Sequence, residues 1–300
     1  MHTLNPVIEW GVSTRCFGDS AIRADQLEAL RRAGFERIEI HAGGTNIDFR
    51  DKAWVRSLAQ WFRDHELPPS SLHLPFEEPA GPGRKRPLSV IESEWRARAH
   101  ALDEIKRSLE LAERIRVDYA VLHLGAPGDR FTPTAFDHAY AAIQKIFAFA
   151  GVRVLVENLP NDIARLDRIR EFKSVADLPD LGVCYDTGHA RLEGVVALDA
   201  GTGIGAMHID DNDGTEDAHA PPFDGTLNWT VFVEQLVTSK FRGPLILELS
   251  AGLSDGRPEI IGAAAERRRR LQDLFDEAAY SIEEFRLKYR LPASRSKEEE

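Results

Sequence analysis

The sequence predicts an α/β fold, a single-domain (β/α)8 TIM barrel. Three observations carry that expectation. Eight short apolar runs alternate with eight helical patterns, the order that parallel βαβ units require. Most runs are apolar at nearly every position, as strands covered on both faces must be. The length of 300 residues is long for an average domain but ordinary for eight such units closed into a barrel. No linker or shift in composition divides the chain. The barrel is therefore expected over residues 1–290, followed by a disordered tail at 291–300 that ends S-R-S-K-E-E-E. An open doubly wound sheet is the alternative, but the first βα turn lacks G-x-G-x-x-G.

The elements follow in order. Residues 7–13 (V-I-E-W-G-V-S) read as the first strand. A helix over 24–33 spaces Leu27 and Leu30 on one face and stops at Gly34. Residues 37–41 form the second strand, with Glu39 and His41 sharing a face. An amphipathic helix over 51–66 carries Trp54, Leu58, Trp61 and Phe62, and Pro68 and Pro69 end it. The two tryptophans, seven apart, read as core. The third strand spans 71–76. A loop at 77–88, rich in proline, glycine and basic residues, is expected to overhang one rim and to be mobile. A long helix over 92–115 leads to the fourth strand at 119–125, and an alanine-rich helix over 134–150 to the fifth at 152–159. After a helix over 162–175 come the sixth strand at 181–185 and the seventh at 204–209, with a short helical piece near Leu192 between them. A helix over 229–239, the eighth strand at 244–250 and a final helical region from Pro258 to about Tyr289, with room for one break, complete the pattern.

Composition narrows the function. With 43% hydrophobic residues the chain can bury a large core. Two cysteines argue against a disulfide framework and fit a reducing, cytoplasmic setting. Cys184 is expected to pack inside a strand and Cys16 to be half-exposed. No apolar run approaches the roughly 20 residues of a membrane span. The first residues, M-H-T-L-N-P-V-I-E-W, lack a basic segment followed by an apolar one, so no signal peptide is expected. A formal net charge of −11 disfavours broad nucleic-acid binding through a basic face. A small-molecule substrate, phosphorylated or not, is the expected partner, and homo-oligomerisation is left open.

Chemistry concentrates at strand ends. His73 lies on strand three, His123 on strand four and Glu157 at the end of strand five. Asp186 ends strand six and His189 follows it. His208 is on strand seven, Asp217 and His219 lie in its loop, and Glu248 is near the end of strand eight. In an α/β barrel these ends meet on one rim, where active sites are built. Imidazole and carboxylate together suit zinc, manganese or iron. A lone histidine in an apolar strand usually only packs. A lone glutamate in V-L-V-E-N or L-I-L-E-L is harder to dismiss, because a buried unpaired carboxylate is costly. Four carboxylates around one divalent ion would leave the pocket anionic, so more than one ion per chain is expected. Arg84, in the loop after strand three, is a candidate for binding a substrate phosphate or carboxylate. Arg15 could reach the site, and Glu39 and His41 could orient ligands. Arg267 to Arg270 read as a solvated helix face.

The motifs V-E-N, Y-D-T-G-H, M-H-I-D-D-N-D-G, D-A-H-A-P-P-F-D-G-T-L-N-W and L-E-L give the chain a family resemblance. It resembles the xylose-isomerase-like TIM-barrel superfamily, which holds sugar-phosphate isomerases and epimerases and the endonuclease IV group. The likeness runs from G-V-S-T-R to L-E-L-S. In the isomerase branch the resemblance gives the metal to Glu157, Asp186, His208 and Glu248, and gives His189 to the substrate. In the endonuclease IV branch a three-zinc cluster takes all nine residues named above. The chain departs from that branch in its first strand, W-G-V-S-T-R-C-F in place of a G-A-H-V-S-type segment. It departs from the isomerases where P-F-D-G replaces P-G-x-G.

The resemblance implies a metal-dependent isomerase or epimerase of a sugar or related polyol-ketone. Glu157 and Glu248 would be the catalytic proton carriers, working through a metal-stabilised enediolate, with His189 touching substrate and His73 a further candidate contact. The alternatives are an endonuclease IV-like phosphodiester hydrolase with several metal ions and a barrel that only binds a chelating ligand.

Overall fold

The computed structural model describes residues 8–18, 21–42, 47–81, 83–195, 198, 203–239, 241–250 and 258–289. The start of the first predicted strand at residue 7 and the tail at 291–300 lie outside the described residues. Eight parallel strands close into a barrel. In chain order the barrel strands are β1 (Trp10–Ser13), β2 (Arg37–His41), β3 (Pro69–His73), β6 (Tyr119–Leu122), β7 (Arg153–Glu157), β8 (Gly182–Asp186), β9 (Ile204–Ile209) and β10 (Leu245–Leu247). Neighbours in sequence are neighbours in the sheet, and β10 closes onto β1 through Trp10 opposite Leu245. Around them lie α1 (Ala24–Arg32), α2 (Lys52–Asp64), α3 (Trp95–Ile115), α4 (Pro133–Phe149), α5 (Leu166–Val175), α6 (Thr187–Glu193), α7 (Trp229–Ser239) and α8 (Pro258–Tyr289).

Several boundaries move. β3 begins at Pro69, where its missing N–H costs nothing, because a first strand residue need not donate to the ladder. β6 and β10 stop one residue before His123 and Glu248, leaving both side chains just past the ladder. The last helix is unbroken over 32 residues. The loop at 77–88 is not irregular. It folds into an antiparallel hairpin of β4 (Glu77–Pro79) and β5 (Lys85–Pro87). Gly81 (φ +111°) and Gly83 (φ +63°) make its turn, and Lys85–Glu77 (2.7 Å) and Arg86–Glu78 pair across it. Cys16 is buried, 2% exposed, rather than half-exposed, because the 3-10 turn after β1 folds it inward beside Phe17.

The core has two parts. The larger one fills the space between strands and helices. The smaller one sits inside the barrel and consists of Val121, Leu155, Cys184 and Ala206. These four come from consecutive strands. Two residues further along each strand, on the same inward face, stand His123, Glu157, Asp186 and His208. The floor of the site is therefore the top of the packed interior. No described helix is long and apolar enough to cross a membrane.

Candidate metal centre and active site

The inward face of the strands delivers the ligands, and register sets their height. Asp186 is level with His208, and His208 is level with Ile246, two residues before Glu248. His41 is level with His73. Among the described residues five groups of candidate ligands form, with ligand atoms inside each within 4.8 Å of one another, and three of these groups hold all nine predicted residues. The first is His73, His123 and Glu157, the second Glu157, Asp186, His208 and Glu248, and the third His189, Asp217 and His219. Glu157 belongs to two groups, offering one oxygen to each.

In the first group Glu157 Oε2 lies 3.1 Å from Nε2 of both His73 and His123. In the second, His208 Nδ1 stands 3.4 Å from Glu157 Oε1 and 3.3 Å from Glu248 Oε2, with Asp186 Oδ2 at 3.9 Å. In the third, Asp217 Oδ2 is 3.1 Å from His189 Nε2 and 3.2 Å from His219 Nε2. Four of the five rings engage their other nitrogen with a group outside the three sets, and His189 Nδ1 also lies 3.2 Å from Glu157 Oε1. His73 Nδ1 meets the carbonyl of Leu74 (3.0 Å), and His189 Nδ1 that of Asn158 (2.8 Å). His219 Nδ1 meets the carbonyl of Glu248 (3.2 Å) with Asp210 Oδ2 in ion-pair contact at 2.8 Å, and His208 Nε2 meets Glu39 Oε2 (3.1 Å), which also accepts from Ser71 (2.8 Å). Those outer partners can only accept, so each such nitrogen carries the hydrogen. In a neutral ring the lone pair then faces the cluster, which is how ligating histidines are held.

With neutral rings, lone pairs would thus face carboxylate oxygens at about hydrogen-bond distance, an arrangement that either a proton or a cation between them relieves. Glu157 Oε1, Asp186 Oδ2, His208 Nδ1 and both oxygens of Glu248 are buried without a hydrogen-bond partner. Such orphans are rare, and here they gather on one point. The donor set fits a divalent ion there.

Protonation tells the same story. Burial opposes charge on His189 and His208, yet Asp186, Asp217 and Glu157 hold the first, and Cys184 with Glu39, Glu248 and Glu157 the second, well above the usual imidazole range. His219 is raised to about 10 by Asp210 and Asp217 against burial and Arg15. Burial works against ionisation of Glu157 and Glu248 too, but the histidines hold both well below the usual carboxylate range. Asp186 is pushed well up, by burial first and Asp210 next. Without metal, the site recruits protons to supply the missing positive charge. His123 is the exception, lowered by burial to about 4, and stands neutral.

A cavity of about 290 Å³ opens above the cluster. Its walls include Arg15, Phe76, His123, Leu159, His189 and His219. Lys85 and Arg86 bring the hairpin over it. Arg84 is exposed and sits at the hairpin turn, outside the cavity lining. Arg15 lines the cavity, 3.7 Å from Glu248. Asp210 is not among the residues that the sequence points to. It accepts from Gly188 N (2.8 Å) and Thr187 Oγ1 (3.2 Å) while holding His219. One signal could have found it, since Asp210 lies two residues beyond His208 and so continues the inward face.

The family model described as xylose isomerase-like TIM barrel matches residues 27–271. The chain belongs to that family. An uncharacterised protein of Sinorhizobium fredii, y4fM, is 26% identical over 83% of this chain and 87% of its own length. Among solved structures, a D-tagatose 3-epimerase-like protein superposes with a TM-score of 0.70 at 19% identity, covering 92% of this chain and 100% of the other. An IolI protein with a bound zinc atom gives 0.70 at 15% identity, over 90% and 99%. At these identities the likeness is one of fold.

Chemically, the arrangement can bind divalent ions, hold a chelating small molecule against them and present two carboxylates to it.

Proposed function

We propose that the protein is a metal-dependent isomerase or epimerase acting on a sugar or related polyol-ketone. The observation that carries this reading is the pair Glu157 and Glu248. Both are fully buried, and their oxygens bracket His208 Nδ1 at 3.4 and 3.3 Å beneath a cavity of small-molecule size. Their strands, β7 and β10, are separated by β8 and β9, so the two carboxylates approach a bound carbon chain from different sides. The epimerase and zinc-bearing neighbours in this fold support the same reading.

Glu157, Asp186, His208 and Glu248 would hold the ion that acts on substrate. Such an ion polarises a carbonyl and offsets negative charge on the adjacent oxygens. One glutamate removes the proton from the carbon beside the carbonyl and the other returns a proton. Return from the opposite side inverts that carbon, while return to the neighbouring carbon isomerises. Where the first and third groups hold no ion, His123 and His189, which both line the cavity, would instead orient substrate hydroxyls. Arg15, facing the cavity, suits an anionic substituent such as phosphate.

We further propose more than one ion, chosen from zinc, manganese or iron. Beyond the central four, the first group adds His73 and His123 and the third adds His189, Asp217 and His219. That observation favours a second reading, phosphodiester hydrolysis with several metal ions. The test is to offer the metal-loaded protein a panel of free and phosphorylated ketoses alongside a duplex containing an abasic site. Epimer or isomer formation without strand cleavage supports the first reading. Strand cleavage with no sugar turnover replaces it with the second.

A further inference from the structure

The loop between β9 and α7 brings Asp217 and His219 to the site, and its backbone is strained. His219 has φ +43° and Phe223 has φ +74°. A bulky aromatic residue in the left-handed region needs its surroundings to hold it. From inside, Asp211 does so. Its carboxylate accepts from the backbone N–H of Phe223 (3.1 Å) and Leu227 (3.1 Å) and from the Trp229 indole (2.8 Å). Its backbone bridges Ala220, right after His219.

From outside, α8 grips the same stretch. Arg267 Nη2 reaches Asp224 Oδ1 at 2.7 Å, and the Arg270 guanidinium lies 3.7 Å from the centre of the Phe223 ring. The sequence suggested that these arginines only face solvent. Instead they hold two adjacent residues of the ligand-bearing loop. Phe223 and Asp224 are the pair that occupies P-F-D-G, one turn of chain from His219.

We propose that Arg267 and Arg270 are positioning residues for the His189–Asp217–His219 ion site. By clamping Phe223 and Asp224 they fix the strained loop conformation that aims Asp217 and His219 at His189. The inference rests on the reading that this group binds an ion. The geometry explains why an outer helix would matter there and not at the other two groups. The ligands of the first two groups stand on or beside barrel strands, whereas Asp217, 37% exposed, depends on the loop.

The test loads wild-type protein with zinc, dialyses it against graded concentrations of a competing chelator and measures the zinc retained. Asp217→Asn marks which release step belongs to the third group. In the double variant Arg267→Ala/Arg270→Ala that step is expected to move to about ten-fold lower chelator, the size seen when supports of metal ligands are removed. The remaining steps stay in place. Arg267→Lys, which can keep the ion pair to Asp224, should shift the step less than Arg267→Ala. Each single alanine variant removes one surface contact and repeats the test at smaller amplitude, should the double variant fold poorly. Release curves that superimpose on wild type overturn the proposal, as does an equal shift of every step. A wild-type protein with no ion that Asp217→Asn removes would defeat the ion reading itself, and the clamp with it.

Discussion

Gly188 shows how tightly single residues bind this site to its surroundings. A Cβ there would lie 2.6 Å from Asp210 Oδ1, which its own backbone N–H already contacts at 2.8 Å. Gly188→Ala must push Asp210 away, releasing the carboxylate that orients His219. We expect a loss of about 1–3 kcal/mol of stability from overpacking and weaker zinc retention. Chemical denaturation and zinc analysis check both, and unchanged values in each would remove Asp210 from its supporting role.

Glu193 offers a second test, in pH. Burial raises its carboxyl from 4.5 to about 7, and its Oε1 has no hydrogen-bond partner. The folded protein keeps this proton up to about pH 7, whereas the unfolded chain loses it near 4.5. Folding therefore takes up a proton between those values, and stability falls as pH rises through that window, then levels off. Glu193→Gln removes the titration. Its stability relative to wild type should climb from pH 4.5 to 7 and stay higher above; a pH-independent difference would contradict the assignment.

At the scale of elements, the strands were legible and the contacts between distant segments were not. Glu157 and Glu248 could be read as site residues because each interrupts an otherwise apolar run that has to be buried. His123 and His208 followed from their place at strand ends. Arg267 and Arg270 could not be read, because nothing local in an arginine-rich helix says that Phe223 and Asp224 lie beneath it. The hairpin at residues 77–87 was hidden by its prolines, which suggest irregular chain until the cross-strand pairs Glu77–Lys85 and Glu78–Arg86 are seen. Asp210 was masked by company, one acid among several in I-D-D-N-D.

The three groups also act together as an electrostatic element. Metal-free, the site holds protons on His189, His208 and His219, the last with its range raised to about 10. A ligating ion must displace them. Zinc binding at neutral pH should therefore release protons, and affinity should fall as pH drops. Titration calorimetry in buffers of differing ionisation heat measures this directly; a heat independent of buffer would show that the histidines are already neutral.

For the whole molecule, the barrel is a device for convergence. Residues from separate strands and loops reach one cavity because every strand points the same way and the interior below them is packed with Val121, Leu155, Cys184 and Ala206. A chain with formal charge −11 concentrates buried carboxylates there, and divalent ions are what would make that concentration tolerable. The central claim is that Glu157 and Glu248 pass a proton at a carbon beside a metal-polarised carbonyl. The most direct measurement is nuclear magnetic resonance of ketoses incubated with zinc- or manganese-loaded protein in heavy water. The account predicts deuterium at the carbon next to the carbonyl with wild-type protein, and a rate lowered at least about a hundred-fold in Glu248→Gln while the fold is retained. No exchange on any ketose, or undiminished exchange in Glu248→Gln, would contradict it.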